Sequence, residues 1–177
     1  MQTRRDVIAL IAGTALSGVA QAAEGGNDSL ASVRRFVGEW KGTATGEAGD
    51  GTVARRYAFV MNGRFIHETN ITRYPPQEKN KAGELHEHWG VFSYDKARKL
   101  IVLRHFHAEG FVNTYRQTTA PEGTALLFES EAFENFSNSW KARESYEFLS
   151  DDEFVETFEL AAPGRPFQLY SRNHLRR

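Results

Sequence analysis

From residue 38 onward the chain alternates. Runs such as Tyr57-Ala58-Phe59-Val60-Met61 and Arg64-Phe65-Ile66-His67-Glu68 set β-branched and aromatic residues against polar ones, the period-two pattern of strands. Strands are expected at 38–45, 52–61, 64–73, 84–94, 99–108, 111–119, 124–131, 139–149, 153–161 and 166–175. Only one stretch carries helical spacing: Leu30, Val33, Phe36 and Val37, with Asp28 or Ser29 available as N-cap. The pattern predicts an all-β protein with a short N-terminal helix.

Turn chemistry separates the runs. Asn62-Gly63 is the strongest hairpin signal, because both residues accept positive φ; Glu109-Gly110, Pro121-Glu122-Gly123 and Ser150-Asp151-Asp152 mark further turns. The longest connection, Tyr74 to Gly83, has the length of a mobile or functional loop. Consecutive antiparallel strands joined by tight turns leave edges exposed unless the sheet closes, so a closed up-and-down barrel of about ten strands is expected. A sandwich is the alternative and needs long crossovers. Charges within the strands (Arg64, Glu68, Arg104, Glu129, Glu131, Arg143) suit a barrel with a ligand chamber better than a dry core.

Residues 1–22 carry a different pattern. Met1-Gln2-Thr3-Arg4-Arg5 is basic, Ala9 to Leu16 is mostly apolar, and Ser17 to Ala23 is built of small residues. That order marks a cleaved export signal, with Ala20-Gln21-Ala22 as the cleavage triplet, since the apolar run is too short for a permanent anchor. The Arg4-Arg5 pair ahead of the apolar run resembles the twin-arginine signal. The expected organisation is a signal peptide at 1–22, a flexible leader at 23–28 and a single barrel domain at 29–177, without a membrane anchor after cleavage. The expected address is periplasmic or secreted. Proteins of the twin-arginine class fold before export, which permits a cofactor without requiring one.

Charge and cysteine count narrow the chemistry. Lys and Arg number 22 against 23 Asp and Glu, so no basic field exists to draw nucleic acid. The absence of Cys excludes disulfides, thiolate metal sites and cysteine nucleophiles.

Phe36-Val37-Gly38-Glu39-Trp40-Lys41-Gly42 follows the helix and opens the first strand. Glycine, any residue, tryptophan in this place resembles the signature of the calycin superfamily, which includes lipocalins and fatty-acid-binding proteins. That resemblance implies structural roles for Gly38 and Trp40, with the indole plugging the barrel floor beneath a basic residue of the last strand, Arg172 or Arg176. The longer Gly38-x-Trp40-x-Gly42 pattern with a histidine near the C-terminus is similar to nitrobindin-type haem-binding barrels, and the resemblance implies His174 as axial ligand. Ala44 departs from that pattern, where a further glycine would stand. The segments Tyr74 to Gly90 and His105 to Asn113 look more like uncharacterised bacterial lipocalin-like proteins.

Two histidine pairs stand out, His86-x-His88 and His105-x-His107, each sharing one strand face. If Tyr94 pairs with Lys99 across Asp95–Arg98, His88 opposes His105 and His86 opposes His107, and the four imidazoles could close on zinc or copper. The other face, with Arg104 and Phe106, is expected to look inward, and the histidines outward. No nucleophile elbow, phosphate loop or metalloprotease motif is present. The leading expectation is therefore non-catalytic binding of a small apolar or amphipathic molecule, with Arg64, Glu68, Arg104, Phe106 and Tyr115 contacting it and no cofactor. The alternatives are a haem barrel using His174, and an isomerase or hydrolase using lumen Glu and His.

Overall fold

The structure is a computed structural model that describes residues 29–118 and 125–177. The segments expected to be an export signal (1–22) and a leader (23–28) lie outside the described residues. Ten strands follow a single turn of helix: α1 (Ala31–Arg34), β1 (Gly38–Gly46), β2 (Gly49–Val60), β3 (Phe65–Tyr74), β4 (Glu84–Asp95), β5 (Leu100–His107), β6 (Val112–Gln117), β7 (Ala125–Glu134), β8 (Lys141–Ser150), β9 (Glu153–Ala161) and β10 (Gln168–Arg176). Each strand pairs antiparallel with its neighbour in sequence, and β1 pairs with β10, so the sheet closes into an up-and-down barrel.

Closure depends on a residue without a side chain. Gly42 pairs with Leu175 across the β1–β10 seam, and a Cβ there would overlap the backbone carbonyl of His174. The same end of the barrel is plugged by aromatics. Phe36 packs against Tyr57, Phe92, Tyr146, Phe148 and Phe154 at centroid distances of 4.9–5.6 Å. Trp40 is fully buried, edge-on to Phe154 at 4.7 Å, and its Nε1–H donates to the Phe36 carbonyl at 2.6 Å. Its cationic cover is Arg177, 4.5 Å above the ring, rather than Arg172 or Arg176. The reason is parity: Arg172 and Arg176 point outward from β10, whereas Arg177 lies beyond the ladder and folds back, bonding Asp152 Oδ1 and the carbonyls of Val37 and Asp151. The helix has no side-chain cap, because Leu30 occupies the N-cap position; buried Leu30, Val33 and Phe36 hold it in place.

Alternate hairpins share an end, so the β1–β2, β3–β4, β5–β6, β7–β8 and β9–β10 connections surround the mouth opposite the aromatic plug. The Tyr74–Gly83 connection there is tied down. Gln77 accepts from Asp50 N at 2.8 Å and donates to Asp50 O at 2.9 Å, clamping the loop to β2. At the closed end, the β2–β3 ladder stops at the Val60–Phe65 pair, so the turn runs Met61 to Arg64 with Met61, Asn62 and Gly63 at positive φ. Arg64 thus belongs to an exposed turn and not to a strand face.

Candidate functional site

The histidine hairpin decides the site. Asp95 Oδ1 accepts from the N–H groups of Ala97 and Arg98, and Lys99 takes φ 57°, which moves the four-residue loop to Lys96–Lys99. Asp95 then pairs with Leu100, His88 opposes His107, and His105 opposes Gly90. The expected His88–His105 and His86–His107 pairing is displaced by two residues, an even shift, so the parity survives and all four rings remain on one face.

That face is the lumen, contrary to the expectation. His88 and His105 are buried, while Trp89 is 63% and Phe106 43% exposed on the outside. Closure required the β4 and β5 face bearing Phe92, Ile101 and Leu103 to meet the aromatic plug, and the histidines continue that face toward the mouth. Arg104 therefore points outward and donates to Ser93 Oγ at 3.2 Å. Of the residues expected to touch a ligand, Tyr115 lines the chamber and Glu68 lies buried directly behind its wall; Arg64, Arg104 and Phe106 stand outside it.

Above the plug, period-two alternation brings Arg55 from β2, Glu68 from β3, His105 from β5, Glu144 from β8 and Glu156 from β9 into one buried charged layer. The Arg55 guanidinium reaches Glu156 Oε2 at 2.5 Å, Glu68 Oε1 at 3.4 Å, Asn70 Oδ1 at 2.8 Å and the Tyr57 hydroxyl at 3.3 Å. Asn173 adds a bond to Glu156 at 2.6 Å. His105 lies between two carboxylates, Nδ1 at 3.1 Å from Glu144 and Nε2 at 3.5 Å from Glu68. Gly90 makes this possible, since a Cβ there would fall 2.5 Å from Glu68 Oε2. A glycine inside the strand run His86 to Phe92 was the signal for such a close approach.

Electrostatics follow from these contacts. Burial opposes charge on His105, but Glu144 and Glu68 override it and raise its pKa to about 10. Burial and the neighbouring charge of His105 push His88 down to about 4, despite its contact with Glu68. Burial and the same cation, with His88 and His86 adding to it, lower His107 to about 2. Burial would raise Glu68, yet Arg55 and the two histidines hold it well below the usual carboxylate range. Two cationic groups, Arg55 and His105, thus face three carboxylates, Glu68, Glu144 and Glu156, leaving one negative charge in excess.

The chamber above this layer has a volume of about 480 Å³. Its deep wall carries Asn70, Asn113, Asn173, His88 and His105; its mouth carries Phe111, Phe133, Phe136, Trp140, Phe158 and Tyr170. Asn113 Oδ1, Asn173 Oδ1 and His107 Nδ1 are buried without a hydrogen-bond partner, and His105 Nε2 has only its ion pair with Glu68. Sequence reasoning missed Arg55, Asn70, Asn113 and Asn173. For Arg55 a signal existed: it shares a face with Val53 and Tyr57, both core residues, whereas Arg56 shares the solvent face.

His174 does not enter the chamber. It sits on the outer face of β10 between inward-facing Asn173 and Leu175, with Nε2 2.6 Å from Glu153 Oε1. The axial position that the nitrobindin resemblance implied therefore has no donor in the lumen at this residue, and haem ligated by His174 does not fit the barrel interior.

Fold and site together define a closed ten-stranded β-barrel with a charged, partly unsatisfied interior. No protein-family profile matches the chain, and no curated protein matches it. Among solved structures it is similar to Rv2717c from M. tuberculosis, with a TM-score of 0.64 and 18% identity over 85% of this chain and 98% of that one. At this identity the likeness shows the fold alone.

Proposed function

We propose that the barrel binds one small amphipathic molecule without chemical conversion, its apolar body against the mouth aromatics and a cationic or hydrogen-bond-donating head against the deep polar wall. The observation that carries this reading is the chamber itself. It has the volume of a small-molecule site, an aromatic mouth, and buried polar atoms that no protein group satisfies. The sign of the head follows from the excess carboxylate and from Glu47, Glu84 and Glu109 at the mouth. The test is a thermal-shift series of phenylalkylamines against matched phenylalkanoates, run in chelator, with native mass spectrometry of the chain as purified. Amines are expected to raise the unfolding midpoint and the carboxylates to leave it unchanged, with the effect weakened in Trp140→Ala. Equal or better binding of the carboxylates overturns the assignment of the head. No shift from either series, with no bound mass on the purified chain, overturns the binding reading.

On this reading the protein works in the cell envelope, exported by residues 1–22. Support comes from the order of basic, apolar and small-residue zones and from the Arg4-Arg5 pair. Changing both arginines to Lys is expected to block export, as followed by fractionation; undiminished export leaves a general secretory signal instead.

A further inference from the structure

We propose that His86, His88 and His107 form a three-histidine site for a zinc-class divalent metal ion, with its fourth coordination position open to the chamber. The three rings form a nearly equilateral triangle, with centroids 5.5, 5.4 and 5.3 Å apart, and one ring nitrogen from each lies within 4.8 Å of the others. The register produces this arrangement. His88 and His107 are directly opposed across β4 and β5, and His86 is two residues along β4 on the same face.

The orientation of two rings is already that of metal ligands. His86 Nδ1 faces Glu109 Oε1 at 3.2 Å, and His88 Nε2 faces Glu68 Oε1 at 3.3 Å. A carboxylate on the far nitrogen of a histidine takes its N–H and leaves the near nitrogen as a lone pair, the arrangement that orients zinc-binding imidazoles. The two near nitrogens, His86 Nε2 and His88 Nδ1, then face each other at 3.4 Å. Two lone pairs at that separation repel unless a proton or a cation lies between them. A tetrahedral ion with Zn–N bonds of about 2.0–2.1 Å places its ligand nitrogens about 3.3 Å apart, which matches. His107 contributes a buried Nδ1 without a partner, while its Nε2 lies 3.3 Å from the Asn113 side-chain amide and its ring stacks on Phe111 at 4.1 Å.

His105 is not a ligand in this arrangement, because both its nitrogens face carboxylates, Glu144 and Glu68. The competing trio of Glu68, His88 and His105 would place a cation against the Arg55 guanidinium, 3.4 Å from Glu68. The set of three neutral nitrogen donors and one open position suits zinc, and copper(II) is the stronger competitor for the same nitrogens. The inference does not depend on the organic-ligand reading, since the three histidines bind the ion with or without a second occupant.

The test uses the tag-free full-length chain, stripped with chelator, dialysed against zinc and analysed for bound metal, with cobalt(II) as a spectroscopic substitute. One zinc per chain is expected, along with the intense visible absorption of tetrahedral cobalt. His86→Ala and His107→Ala are each expected to weaken zinc binding at least about 100-fold, and Glu109→Gln about 10-fold, with near-ultraviolet circular dichroism unchanged. His67→Ala, outside the cluster, is expected to bind as the parent does. Absence of stoichiometric zinc, a six-coordinate cobalt spectrum on the parent chain, or zinc retained undiminished by a folded His86→Ala, His107→Ala double variant overturns the site. The cobalt spectrum needs no variant, so the result stands even if a substitution unfolds the barrel.

Discussion

Replacing Arg55 by Met tests whether the charged layer holds the barrel together. The guanidinium is buried and contacts Glu156, Glu68, Asn70 and Tyr57, so its removal strands two carboxylates away from water. Breaking one partner of a buried ion pair costs about 3–5 kcal/mol, most of it the desolvation of the charge left behind. For a domain of this size, each kcal/mol shifts the midpoint by about 2–4 °C, so the variant is expected to melt about 10 °C lower. The Arg55→Met, Glu156→Gln double variant removes the stranded charge nearest the guanidinium. It is expected to recover at least half of the loss, because a neutral amide remains hydrogen-bonded to Asn173. Chemical denaturation followed by circular dichroism measures all three chains and the Glu156→Gln single variant, closing a double-mutant cycle. A loss under about 1 kcal/mol for Arg55→Met, or strict additivity in the double variant, refutes the argument that the layer is coupled through Arg55.

In metal-free buffer, stability is expected to peak near pH 6.5. Below that pH the unfolded chain protonates His88 and His107 while the native chain, with pKa values of about 4 and about 2, does not, so stability falls as pH drops. Above pH 6.5 the native chain keeps the His105 proton, held to about pH 10, and the unfolded chain loses it, so stability falls again as pH rises. Each group contributes a slope of up to about 1.4 kcal/mol per pH unit, and a flat profile between pH 5 and 9 in denaturant titrations contradicts these assignments. Trp40→Ala, which empties the plug beneath Phe154, is expected to cost about 3–5 kcal/mol by the same assay; a cost under 1 kcal/mol would show that the indole is not the plug. Gly42→Ala drives a Cβ into the His174 carbonyl and is expected to open the β1–β10 seam, read as rapid hydrogen exchange in both strands; parent-like protection refutes it.

Alternation of residue types and the turn residues between runs were enough to place ten strands in order and to favour closure over a sandwich, because both depend on backbone geometry that is local to each hairpin. They also placed the four histidines on one face, since the side-chain period of a strand is two and the hairpin loop contains an even number of residues. Which face turned inward was not a local matter. Phe92, Ile101 and Leu103 on one side and Trp89, Val91 and Phe106 on the other are similarly apolar, and only packing against the Phe36 and Trp40 plug broke the tie. The same holds for Arg55, Glu68, His105, Glu144 and Glu156. These five come from five strands, up to 101 residues apart along the chain between Arg55 and Glu156, and their meeting depends on the closed register of the whole barrel. A pair such as Asp95 and Arg98 is visible in sequence because the chain itself brings the two together; the charged layer exists only once β1 has met β10.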